Sequence, residues 1–142
     1  MTQRPPHEDE TQFALWNHKR TADTIDAYSV MVAHADIGVG ESIALLLRLK
    51  GLTAVCAADV DALQLMLEHW KPRALLFDTR LGQDDDFRLI RAAAKDPAFA
   101  NVLIIAMTNI WPDDSPAKIR SYGFDGLCRR PCPVWKLADV LN

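Results

Sequence analysis

Ala74-Leu75-Leu76-Phe77-Asp78-Thr79-Arg80-Leu81-Gly82-Gln83-Asp84-Asp85 is the stretch on which the fold turns. The short, unbroken apolar run reads as a strand buried on both faces. It ends on a carboxylate and passes directly into a polar loop. In an open α/β sheet, ligands and chemistry gather outside the C-terminal ends of the strands. Asp78 is therefore the leading candidate for a functional residue.

On the N-terminal side, Val30-Met31-Val32-Ala33 is a second buried strand, and a helix is expected over Glu41 to Lys50 with Gly51 at its C-terminus. Thr53 to Cys56 reads as a strand, followed by a helix that Asp59 caps and that runs to Trp70. Beyond Asp78, the acidic run Asp84-Asp85-Asp86 is expected to cap a helix through Lys95. Val102 to Met107 is the next strand, and Ser115 or Asp114 caps a short helix to Tyr122 with Pro116 in its first turn. Asp125 to Arg129 is a last short strand, and Val134 to Leu141 a last helix. Strands alternating with helices imply a parallel sheet covered on both faces. Residues 1–27 differ: the polar, proline-containing start is expected to be partly disordered. Phe13, Leu15 and Trp16 there form an apolar patch that docks on the domain (residues 28–142) or on a second copy.

Composition narrows the function classes. At 142 residues, 49% hydrophobic and 25% charged, the chain fits one ordinary globular domain. Its apolar runs are too short to span a bilayer, and no secretory signal opens it, so a cytoplasmic protein without membrane contact is expected. A net charge of −3 argues against direct nucleic-acid binding. Cys56, Cys128 and Cys132 are expected to be reduced thiols packed as small apolar residues.

Several motifs taken together carry a resemblance. Leu75-Leu76-Phe77-Asp78 is followed seven residues later by Asp85. Tyr122-Gly123-Phe124-Asp125-Gly126 and Arg130-Pro131 follow, with Gly51 and Ala62-Leu63 upstream. In order and spacing they resemble the receiver domain of bacterial two-component response regulators, over about residues 29–141. The resemblance implies a flavodoxin-like (βα)5 doubly wound parallel sheet of order 2-1-3-4-5. It also implies that Asp78 is the phosphoacceptor, charged by a histidine kinase through a transfer that depends on positioning and charge neutralisation.

The helpers that such a site uses are altered. Two acids at the end of the first strand hold Mg²⁺ in the family; here they fall on His34 and Ala35, and Asp36 lies one place further along. An imidazole and a methyl group do not supply the oxygen ligands that Mg²⁺ takes. The phosphoryl-binding hydroxyl falls on Ala106, with Thr108 two residues on, the lysine before proline on Arg130, and the aromatic switch on Leu127. The expectation is thus a stand-alone, degenerate receiver that is not an enzyme, needs no cofactor, and signals by protein–protein contact. The alternative is a receiver phosphorylated on Asp78 with unusual metal ligands, where Mg²⁺ would enter. The locally basic residues 115–141 are the expected surface for a partner or a homodimer.

His34 has two readings. As an imidazolium beside Asp78 it replaces the metal's charge; otherwise it fills a polar strand end. Gly38-Val39-Gly40 lacks the third glycine of a dinucleotide-binding loop. Cys128 and Cys132 make a poor metal pair without further ligands. Trp111 is a loop anchor, a lid over the Asp78 pocket, or a packing residue.

Overall fold

A computed structural model describes residues 13–17, 29–108 and 115–129, together with Lys136 and Asp139. Along these residues the elements are β1 (Phe13–Leu15), β2 (Ser29–Ala33), α1 (Ile37–Leu49), β3 (Thr53–Ala57), α2 (Val60–His69) and β4 (Ala74–Asp78). They continue with α3 (Arg88–Lys95), β5 (Leu103–Thr108), α4 (Pro116–Tyr122) and β6 (Gly126–Arg129). One sheet holds all the strands in the order β1-β6-β5-β4-β2-β3. Strands β2 to β6 pair in parallel, whereas β1 lies antiparallel on β6. The architecture is a flavodoxin-like α/β sheet. It is mixed rather than purely parallel, because the N-terminal segment adds an edge strand that chain periodicity does not announce.

Alternation along β4 divides the core in two. Leu75 and Phe77 face a cluster with Leu63 and Leu67 of α2, Ile90 and Ala93 of α3, and Ile119 and Tyr122 of α4. Ala74 and Leu76 face the opposite cluster with Ala44 and Leu47 of α1. Every residue of β4 and β5 is buried, as a central parallel strand requires. Apolar burial of this kind contributes roughly 25 cal/mol per Å² removed from water and is the main favourable contribution to folding. Phe87 stacks on Tyr122 with ring centroids 4.2 Å apart and meets Phe124 edge-on at 5.9 Å.

The local caps explain where the helices start. Asp59 accepts Ala62 N–H and Ser115 accepts Lys118 N–H, as their positions imply. Two expectations are corrected. Helix α1 begins at Ile37, ahead of Glu41, because Asp36 caps it by accepting Gly38 and Val39 N–H. The acidic run 84–86 does not cap α3: it forms a turn, and Phe87 precedes the helix with no side-chain cap. Asp86 and Phe87 both take φ near +60° (57° and 58°), which turns the Phe87 ring inward over Gly82. A Cβ on Gly82 would lie 2.3 Å from that ring, so only glycine fits beneath it. Most of the expected helix at 134–141 lies outside the described residues; Lys136 and Asp139 are helical.

Candidate functional site

Three parallel strands bring the site together. Ala33 pairs with Phe77 and Phe77 with Ala106, so the ends of β2, β4 and β5 emerge at the same level. Asp78, the last residue of β4, is 1% exposed, and His34, just after β2, is equally buried. Beyond β4 the chain makes a single 3-10 turn, Thr79–Leu81. That turn carries Arg80 back over the carboxylate.

Asp78 is held by nitrogen donors on both oxygens. Ala35 N–H donates to Oδ2 at 3.0 Å, and Arg80 N–H to Oδ1 at 3.1 Å. The Arg80 guanidinium donates from Nε to both oxygens at 3.1 Å and from Nη2 to Oδ2 at 2.8 Å. This is the bidentate, charge-assisted geometry in which arginine binds carboxylates most firmly. Burial pushes the Asp78 carboxyl up, but the Arg80 side chain, then the Ala35 and Arg80 N–H groups and the nearby His34, outweigh it. The net result holds the carboxyl below its ordinary value. The same hydrogen bonds raise the pKa of Arg80. Asp78 is therefore a carboxylate at neutral pH with a resident cation.

His34 lies beside this pair without substituting for Arg80. Its Nδ1 accepts Asp36 N–H at 3.0 Å. The same nitrogen lies 3.5 Å from Asp78 Oδ2, close enough to favour the carboxylate. Gly40 of α1 packs on His34: a Cβ there would lie 3.0 Å from the His34 Cβ and 2.6 Å from Cys56 Sγ. The glycines at 38 and 40 thus serve helix capping and close packing.

Ala35 contributes its backbone N–H, and Asp36 turns away to cap α1. Ala106 does not stand at the strand's end. It pairs with Phe77 and Leu127 in the fully buried apolar layer. β5 runs one residue beyond the expected Met107, and its terminal hydroxyl is Thr108. Thr108 is 3% exposed, and its Oγ1 has no hydrogen-bond partner among the described residues. Neighbouring Thr79 donates its hydroxyl to Met107 C=O at 3.3 Å. Leu127 is buried within the cluster that holds Phe77 and Phe124. Arg130, Trp111 and Cys132 lie outside the described residues.

The residues around Asp78 do not fit a divalent cation. Mg²⁺ needs a near-octahedral set of oxygens, whereas Asp78 faces a guanidinium, an amide N–H and an imidazole nitrogen. Among the described residues no three His, Cys, Asp or Glu side chains cluster as a metal site. Cys128 is disulfide-bonded, and this corrects the reading of three reduced thiols; a buried sulfur packs equally well in either state. Cys56 is a free thiol whose pKa is pushed up, first by burial and then by Glu41, so it is no activated nucleophile. No helix among the described residues is long and apolar enough to cross a membrane.

Arg80 is the residue that sequence reasoning missed. Its signal was present: an aspartate whose carboxylate accepts the N–H two residues on forms an Asx turn, which brings residue i+2 over residue i.

The assembled fold has close counterparts. The signal receiver domain of a DNA-binding response regulator from Colwellia psychrerythraea 34H superposes with a TM-score of 0.69 at 21% identity, covering 80% of this chain and 94% of that one. A response regulator receiver protein from Pseudomonas putida gives 0.67 at 21%, covering 81% and 95%. A response regulator from Burkholderia pseudomallei, solved with a phosphorylated aspartic acid, calcium and citrate, gives 0.67 at 18%, covering 81% and 66%. No protein-family model and no curated protein matches the sequence. The chain has the fold of response-regulator receiver domains.

Proposed function

We propose that this chain is a receiver-fold module of two-component signalling in the bacterial cytoplasm, with its acceptor aspartate held shut by Arg80. It acts through protein–protein contact, its partner being a histidine kinase or another signalling protein, and not through ordinary metal-dependent phosphorylation. The observation that carries this reading is the bidentate Arg80–Asp78 pair at a strand end that offers His34 and Ala35 in place of metal-binding acids. Phosphoryl transfer is catalysed by positioning and by neutralising charge on the transferred group. Loss of one preorganised donor typically costs about 2.7–4 kcal/mol in a transition state. Here the metal's ligands are replaced, and the nucleophile's lone pairs are committed to a cation.

One observation favours a second reading. Thr108 supplies a buried hydroxyl at the end of β5 with no partner among the described residues, which suits a phosphoryl group on Asp78. In that case Arg80 would have to swing outward, and its 38% exposed side chain leaves room to do so.

Intact mass measured after incubation with Mg²⁺ and a small-molecule phosphodonor separates the two. The closed reading expects wild type to gain no more phosphate than an Asp78→Asn variant, and an Arg80→Ala variant to gain little, since the metal acids remain absent. Phosphate that appears on wild type and vanishes in Asp78→Asn would overturn the closed reading in favour of the second.

A further inference from the structure

The edge of the sheet at β6 is covered by a segment that it recognises in detail. Phe13, Ala14 and Leu15 pair in antiparallel register with Cys128, Leu127 and Gly126. Trp16 then donates its indole Nε1–H to Phe124 C=O at 2.8 Å, while Trp16 and Asn17 N–H both reach Asp125 C=O at 3.0 and 3.1 Å. Asn17 Nδ2–H donates to Asp125 Oδ1 at 2.7 Å, and the other oxygen of that buried carboxylate accepts Ile104 N–H of β5 at 2.8 Å. Gly126 is what admits the strand. A Cβ there would stand 2.5 Å from Ala14 C=O and 3.0 Å from the Leu15 side chain, a clash with backbone that cannot be relieved by a rotamer. A cavity of about 370 Å³ remains between Trp16 and Asn17 on one side and Ala94, Arg120 and Gly123 on the other.

The chain is long enough to carry this segment to another sheet. Residues 18–28 join β1 to β2, which stands on the far side of β6, β5 and β4. Four strand spacings amount to roughly 19 Å. An extended connection from Asn17 to Ser29 reaches about 40 Å, which is ample to carry β1 to a neighbouring molecule. Backbone pairing to an exposed strand edge is also how sheets take up strands from other chains.

We propose that the β6 edge is a self-recognition site: residues 13–17 of one copy seat on Gly126–Cys128 of a second, and two chains exchange β1 reciprocally. The exchanged pair makes the same contacts as the closed monomer, so the balance is set by the effective concentration of the tethered strand. The edge lies within the basic stretch 115–141, but what it reads is an extended apolar strand ending in Trp-Asn rather than charge. The inference is independent of Asp78 and of its chemistry.

Complementation between two full-length variants tests it. Gly126→Val breaks the edge but leaves the strand intact; Leu15→Asp with Trp16→Ala breaks the strand but leaves the edge intact. Each alone is expected to be monomeric by native mass spectrometry. Mixed, they are expected to form a 1:1 heterodimer at least about tenfold more abundant than either homodimer, since neither copy closes its own edge. Amide hydrogen exchange at residues 126–129 of the strand-broken copy should slow in the mixture. No heterodimer and no restored protection, with both variants folded by circular dichroism, would overturn the proposal. If Gly126→Val does not fold, a synthetic peptide of residues 11–18 replaces it as strand donor; failure to protect the same amides at about 1 mM peptide overturns the proposal equally.

Discussion

Two ends of one sheet are closed in this molecule by different means. At the C-terminal tip of β4, Asp78 is closed by Arg80, two residues away along the chain. At the β6 edge, Asp125 and its neighbours are closed by Trp16 and Asn17, from 108 positions away. The first closure is a local charge pair that stays half in water on the arginine side. The second is a network in which one buried carboxylate joins β5, β6 and the N-terminal segment. The contrast teaches that one sheet can be closed at a strand tip by a single turn and at its edge by a segment more than a hundred residues away.

Breaking the edge network should have the larger effect on stability. Asp125→Ala strips partners from Ile104 N–H and Asn17 Nδ2, and leaves a buried donor unpaired. Hydrogen bonds to charged groups contribute about 1.5–3 kcal/mol each and a stranded donor adds to the loss, so urea denaturation should show about 3 kcal/mol. Asp78→Asn should cost less, about 2 kcal/mol at pH 7, because its partner Arg80 is 38% exposed and screened by solvent.

That second comparison has a pH signature. The Asp78 pKa is lowered in the folded chain. Its contribution is therefore fully present above the unfolded carboxylate value near 3.9 and is lost as pH falls through the lower folded value. The stability gap between wild type and Asp78→Asn should be flat above about pH 5 and should close on acidification. A gap that widened toward low pH would show the carboxyl to be raised, and would end the argument for a resident cation.

Trp16→Phe keeps an aromatic ring but removes the bond to Phe124 C=O and part of the packing surface. About 1 kcal/mol is expected, read as faster amide exchange at residues 126–128 with the β2–β4 core unchanged. The smallest change belongs to the pocket again. Arg80→Lys keeps the charge but loses the fork, and thermal melts should shift by no more than about 0.5 kcal/mol. An effect as large as that of Asp125→Ala would mean that the two closures are not different in kind.

Much of the frame was legible because it rests on short-range rules. The apolar runs of β2, β4 and β5, the caps at Asp59 and Ser115, and Gly51 with φ +90° after α1 all follow from local sequence. Asp36 was harder to read, since a carboxylate just past a strand serves equally as a ligand or as a helix cap, and only its hydrogen bonds to Gly38 and Val39 decide. The acidic run 84–86 misled for the opposite reason: the pull of Phe87 into an aromatic cluster, stacked on Tyr122, overrides its capping propensity. β5 ends on Thr108, one residue past the expected Met107, because strand length is set by pairing with β4 and β6 and not by the apolar run.

By itself, the sequence determined that a parallel α/β sheet forms and that a lone aspartate ends its central strand. It also determined that the neighbouring positions carry a histidine and an alanine instead of acids. Periodicity and side-chain chemistry are properties of the chain, and they survive without knowledge of what lies nearby. Folding in three dimensions places Arg80 on the carboxylate, sets His34 Nδ1 against a backbone donor, and lays residues 13–15 along the sheet edge at Gly126. These depend on distances of a few ångströms between groups whose separation in sequence ranges from two residues to more than a hundred, and packing alone sets such distances.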